Sequence, residues 1–235
     1  MDFWVAEEVF EIAPSYCVGV VVARGIDNSG KDDRVEELLR ANVAARRAKL
    51  PGTPALVKKL PQIACWRAAF ERAAINPNRF PPSIEALCLR LAKGGELPRI
   101  NKLVDLCNAL SIKYMLPMGA HDLGCFHGDI SVRLSSEGEP FTPIMSQERE
   151  TVPAGEVVYA DGCEVRTRRW IWRQGERGKV TERTTEVFCP IDGFTDINRK
   201  EVLAAREELA ALITRFFGTQ ARVYWVNREN PRTAL

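Results

Sequence analysis

The hydrophobic period changes near residue 129, and that change constrains this chain more than any other feature. Before it, apolar residues recur every three or four positions; after it, they alternate. The stretch Leu97 to Gly128, LPRINKLVDLCNALSIKYMLPMGAHDLGCFHG, shows the first period most densely. Ile100, Leu103, Val104, Cys107 and Leu110 form a stripe that predicts a helix packed on a core. Asn101, Asp105 and Asn108 repeat that spacing one position round and predict a polar ladder on the neighbouring face. Pro117 should end the helix, and Gly119 permits a turn that delivers His121 and Asp122 beside the helix end.

The same reasoning gives the other elements. Phe3 to Ile12 and Tyr16 to Ala23 are rich in β-formers and predict an opening strand pair, VGVVVA being long enough for a buried strand. Val35, Leu38, Leu39 and Val43 predict a helix capped by Asp32 or Asp33, Leu60 to Ala74 a second, and Ile84 to Leu91 a third with Ser83 as its cap. Beyond Asp129 the segments ISVRL, GEVVYAD, CEVRTRRWIWR and VTERTTEVFCPI read as strands. Asn198 to Phe217 then reads as a helix closed by Gly218, with a short strand at Arg222 to Val226. Helices and strands segregate more than they alternate, so the expected class is α+β, a mostly antiparallel sheet or sheets packed with helices. Neither glycine-rich phosphate motif follows a strand, and ATP chemistry is not expected.

With 235 residues and 46% hydrophobic content, the chain can bury a large core, and one domain over residues 1–235 is expected. No apolar run approaches the ~18 residues of a membrane helix, and the acidic start MDFWVAEEVF lacks the basic flank of a signal peptide. A soluble cytoplasmic protein without membrane association is expected. The seven cysteines are scattered with no C-x-x-C pair, as for reduced core residues. A net charge of +2 does not announce a nucleic-acid binder: DNA is not expected as a partner, and any RNA contact must be local.

Read as one strand, Val165 to Gln174 puts Arg166, Arg168, Trp170, Trp172 and Gln174 outward and Val165, Thr167, Arg169, Ile171 and Arg173 inward. A guanidinium on a buried face needs an anion. Arg173 therefore either pairs with Asp105 or Asp122 as a structural pin, or clamps a ligand. The outward row is either a basic aromatic platform for RNA or a surface covered by another layer. His121, Asp122, Cys125 and His127 match no common zinc framework, so neither a metal nor another cofactor is expected. His121 is either a general base or an exposed turn histidine. No Ser-His-Asp or Cys-His arrangement is legible, and a covalent nucleophile is not expected.

INKLVDLCNALSIKYMLPMGAHDL resembles the B3/B4 domain of the phenylalanyl-tRNA synthetase beta subunit, and the free-standing proteins of that family more closely. The resemblance extends over about residues 60–190 through PSIEAL, LPRIN, GEVVYAD, RRWIWRQ and a threonine at 184 or 185. Residues 1–59 and 198–226 would pack on that core. The resemblance implies a B3/B4-like fold and a pocket that removes a wrongly attached amino acid from tRNA. The family pattern P-x-H-A-F-D has its histidine where Gly119 stands here, and His121 takes the aromatic position. WIWRQGERG replaces a smaller glycine-rich segment ending in a glutamate, so Glu176 is a candidate, though not an assured, specificity residue. The expected function is a trans-editing aminoacyl-tRNA deacylase, with His121 and Asp122 catalytic and Asn101, Asp105, Asn108, Trp172, Arg173 and Gln174 binding substrate. Its partners would be tRNA or aminoacyl-tRNA and a small amino-acid-like ligand. The alternatives are a non-catalytic module binding tRNA, an amino acid or a related metabolite, and a structural domain whose polar ladder pins helix to sheet.

Overall fold

The computed structural model describes all 235 residues. Helices α1 (Glu7–Ile12), α2 (Asp33–Arg47), α3 (Pro54–Val57), α4 (Pro61–Arg72), α5 (Ser83–Ala92) and α6 (Lys102–Tyr114) fill most of the first half, with α7 (Arg199–Phe217) near the end. Strands β1 (Asp2–Val5) and β2 (Tyr16–Arg24) precede most helices. After α6 come β3 (His121–Asp122), β4 (Ile130–Leu134), β5 (Glu139–Phe141), β6 (Glu150–Val152), β7 (Val157–Ala160), β8 (Val165–Arg168), β9 (Arg173–Gln174) and β10 (Glu186–Phe194). After α7 come β11 (Ala221–Asn227) and β12 (Arg232–Ala234). The class is α+β.

A four-stranded antiparallel sheet runs β11-β2-β10-β3. A six-stranded sheet runs β12-β1-β4-β7-β8-β9, parallel only between β1 and β4. Strand β2 shows why VGVVVA reads as buried: Val18, Val20 and Val22 join the larger core, while Val21 and Ala23 enter a second core with α6 and α7. Helix α7 lies close on this sheet because two strand positions lack a side chain. A Cβ on Gly193 would stand 2.4 Å from Val202 Cγ2, and one on Gly19 would stand 3.0 Å from Val202 Cγ1.

Several expectations are corrected. The opening strand pair does not form: β1 ends at Val5, residues 7–12 are helical, and β1 and β2 belong to different sheets. Val9 and Phe10 at adjacent positions, followed by Ala13, supply a one-turn helical contact that β-propensity alone does not signal. Ile100 lies outside α6 and is 55% exposed. Asn101 instead caps the helix, its side chain accepting from the Val104 N–H at 3.1 Å. Ser83 is the first residue of α5 and makes no side-chain cap.

The segment 165–174 is a hairpin, not a single strand, because Arg169 (φ 47°) and Trp170 (φ 64°) are both left-handed. The face assignment fails twice over: every residue of β8 is buried, on both faces, and the turn reverses the chain before Ile171 to Gln174. Arg166 is fully buried, with Asp161 at 2.5 Å and Glu164 at 2.8 Å, and Arg168 is held by Glu156 and Glu150. Trp170 is also fully buried, so the expected outward row does not exist. Arg173 pairs with neither Asp105 nor Asp122: the Asp105 carboxylate accepts from the Ile100 N–H, and that of Asp122 from the Thr184 hydroxyl and the Gly124 N–H.

Candidate active site

A cavity of about 170 Å³ opens where the two sheets meet the start of α5. Its wall takes Ser83 from α5, Pro117 to Gly119 from the loop after α6, His121 from β3, Tyr159 from β7 and Thr167 from β8. Trp170 to Gln174 of the hairpin and Pro190 and Asp192 of β10 complete it. A void of roughly 150 Å³ takes a benzene-sized guest, so this one has the volume of a small amino-acid side chain.

Asp192 is the chemically distinctive group. It is 2% exposed and is the one charged residue in β10 beyond Glu186 at the strand's start. Its Oδ1 accepts from the Tyr16 hydroxyl at 2.5 Å and the Tyr159 hydroxyl at 2.6 Å. Burial pushes the carboxyl up to about 6, against the two phenols that hold it down. No protein donor engages Oδ2. On the same wall the indole Nε1 of Trp170 is buried without a partner.

His121 lines the same cavity, its ring stacked on Tyr159 at 6.3 Å between centroids. The expectation of an exposed turn histidine is corrected, since the residue is 4% exposed. Burial, with Arg166 nearby, pushes its imidazole down to about 3, so it is neutral at physiological pH and a poor proton acceptor. Its tautomer follows from the neighbours. Gln174 Nε2 donates to the Ala120 carbonyl at 2.9 Å, so the amide must also present N–H to His121 Nδ1 at 3.2 Å. Nδ1 therefore accepts, and Nε2 carries the hydrogen. Nε2 has no protein partner, and a Cβ added at Gly119 would stand 3.4 Å from it. A neutral imidazole donor and a carboxyl that titrates near 6 thus share one cavity.

Of the residues expected from sequence, the structure brings His121, Trp172, Arg173 and Gln174 together here. It separates the others. Asn101 and Asp105 line a different cavity of about 130 Å³ that shares no residue with the first. Asn101 is consumed structurally: its Nδ2 donates to the Val180 carbonyl at 3.0 Å, and its Oδ1 also accepts from Asn28 at 3.1 Å. Burial raises the Asp105 carboxyl, but it sits with Asn101 at the far end of α6. Asn108 is half-buried, makes no side-chain hydrogen bond and lines neither cavity. Asp122 caps the short 3-10 turn Leu123–Cys125 and does not reach the cavity. Glu176 is bound to the Met145 N–H at 2.8 Å and to Lys179, outside the wall. Sequence reasoning missed Asp192, Tyr159 and Tyr16. The available signal was an acidic residue inside the alternating apolar run VFCPIDGF, expensive unless partnered.

Comparison with known proteins agrees with this architecture. An N-terminal fragment of the phenylalanyl-tRNA synthetase beta subunit from Pyrococcus horikoshii superposes with a TM-score of 0.52 over 94% of this chain and 50% of that one, at 12% identity, a likeness of fold. The phenylalanine–tRNA ligase beta subunit of Fusobacterium nucleatum is 28% identical over 99 residues, 42% of this chain. The chain spans only 12% of that relative's length. The B3/4 domain family matches residues 65–218, which include every cavity residue named above, and the chain belongs to that family.

Proposed function

We propose that the cavity receives the aminoacyl group of a mischarged tRNA and hydrolyses its ester in trans. The observation that carries this reading is the Asp192 carboxylate, poised near 6 with one oxygen unengaged in a side-chain-sized cavity. A base of that strength works near neutral pH, where most of it is ionised. Asp192 takes a proton from water as the water oxygen bonds to the ester carbonyl carbon. The N–H at His121 Nε2 donates to the carbonyl oxygen as negative charge develops there, a contribution of roughly 10²–10³ in rate for one well-placed donor. When the carbon to ribose-oxygen bond breaks, the protonated Asp192 returns its proton to the ribose oxygen. Gln174 positions His121 without touching the ester. Membership of the B3/4 family and the likeness to phenylalanine–tRNA ligase beta subunits support tRNA as the carrier.

The test is deacylation of a panel of correctly and wrongly charged tRNAs. At least one wrongly charged species should lose its amino acid faster than spontaneously, with a rate that rises with pH through about 6. Asp192→Asn should lower that rate by roughly 10²–10⁴-fold. Binding of charged tRNA with no deacylation anywhere in the panel would sink the hydrolytic reading in favour of a binding module.

A further inference from the structure

Beside the cavity mouth, three guanidinium groups converge on two aromatic rings. Arg169 Cζ sits 3.7 Å from the Phe80 ring centroid and 4.7 Å from that of Trp172. Arg79 lies 5.0 Å from Phe80, and Arg173 5.8 Å from Trp172. The rings meet edge to face at 4.7 Å. Phe80 and Trp172 are half-buried, so each keeps open surface, and Arg79 is exposed.

The charges here are unbalanced. Arg79 and Arg173 form no ion pair. Glu156 is committed to Arg168 at 2.8 Å and reaches Arg169 only at 3.8 Å. Burial lowers the Arg169 guanidinium pKa; Glu156 and Glu150 oppose that shift, while Arg168 and Arg79 add repulsion. The turn that carries the arrangement has left-handed backbone at two successive non-glycine residues, Arg169 and Trp170, a conformation that L side chains rarely adopt. That turn anchors Trp170 in the core and sets Arg169 and Trp172 at the rim. Three like charges gathered on aromatic faces, with Glu156 shared between Arg168 and Arg169 and no carboxylate on Arg79 or Arg173, suit a ligand that is at once anionic and planar.

We propose that Arg79, Phe80, Arg169, Trp172 and Arg173 form a docking surface for the single-stranded end of a polynucleotide, a base stacking on the rings and flanking phosphates meeting the arginines. Stacking and phosphate contacts are the two interactions such ends offer regardless of sequence. The rim shares Trp172 and Arg173 with the cavity wall, so a strand end held there can present a group attached to its terminal ribose to the cavity. In that last respect the inference rests on the hydrolytic reading; the docking itself does not.

A fluorescently labelled, uncharged single-stranded RNA with a free 3′ end tests it, titrated into the whole protein and followed by anisotropy. Such a probe has no ester, so it reports on the rim alone, while hydrolysis of a small amino-acid ester by the unmodified protein reports on the cavity alone. Binding should weaken with salt with a log–log slope of about −1.4 to −2, as for two or three phosphates. Trp172→Ala should weaken binding about tenfold or more. Exposed Arg79→Glu, which disturbs no core contact, should weaken binding and flatten the salt slope. Absence of RNA binding, binding indifferent to both variants, or tighter binding of an acidic peptide than of the RNA would each overturn the proposal, whatever the ester assay shows.

Discussion

Asp192 is ionised near neutral pH although it is buried, with two phenols as its hydrogen-bond donors. Its folded value of about 6 lies above that of an unperturbed aspartate, about 3.9, so the folded protein holds a proton that the unfolded chain releases. The stability tied to this proton is present below the ordinary carboxylate range and is lost as pH rises through about 6. Asp192→Asn removes the dependence. The variant should gain on the unmodified protein by up to about 3 kcal/mol between pH 4 and pH 8, as measured by urea denaturation at the two pH values. A residue that lowers stability at neutral pH while equipping a cavity with a base fits the general placement of perturbed groups at functional sites. His121 shows the complementary case, since burial makes it a donor and removes it as a base.

At the scale of elements, helix α6 was legible and its polar face was misleading. Asn101, Asp105 and Asn108 share a face as the spacing requires, but that face does not look at the cavity. Asn101 closes the N-terminus of α6 and binds Asn28, which in turn accepts from the Leu103 N–H at 3.0 Å. Asn101→Ala removes a cap and orphans buried partners, so it should destabilise the fold by about 2 kcal/mol in chemical denaturation. Deacylation per folded molecule should stay unchanged; a selective loss of activity would instead return Asn101 to the substrate site. The Val165 to Gln174 hairpin was misread for a different reason. No glycine, asparagine or aspartate marks its turn, and the left-handed pair Arg169–Trp170 is imposed by the burial of the indole. Alternation therefore could not assign one face across the turn, and with both faces of β8 covered it also put Arg166 and Arg168 outward where they are buried.

Across the whole molecule, Trp170 is where distant parts of the chain meet. Its ring lies 5.0 Å from Tyr16 in β2, 5.5 Å from Trp66 in α4 and 6.4 Å from Phe70 in the same helix. It also forms part of the cavity wall. Trp170→Ala should cost about 3–5 kcal/mol and lower the melting temperature. If the surviving folded protein kept full deacylation, the cavity would not depend on this packing as described. No helix is long and apolar enough to cross a membrane. The larger core is built from both sheets and helices α1 to α6, so the cavity wall inherits its rigidity from contacts far apart in sequence.

The sequence by itself determined what depends on neighbours along the chain: the helical and alternating periods, an aspartate cap of α2 at 32 or 33, the doubly buried strand β2 and the motifs of the B3/4 family. These follow from backbone geometry repeating over a few residues. Only the tertiary structure decided which polar residues share a cavity, because Ser83, His121, Tyr159, Gln174 and Asp192 converge from five separate segments. It also decided their chemistry. The same aspartate and histidine would titrate ordinarily in water, and their altered protonation comes from desolvation by side chains that no local pattern brings near.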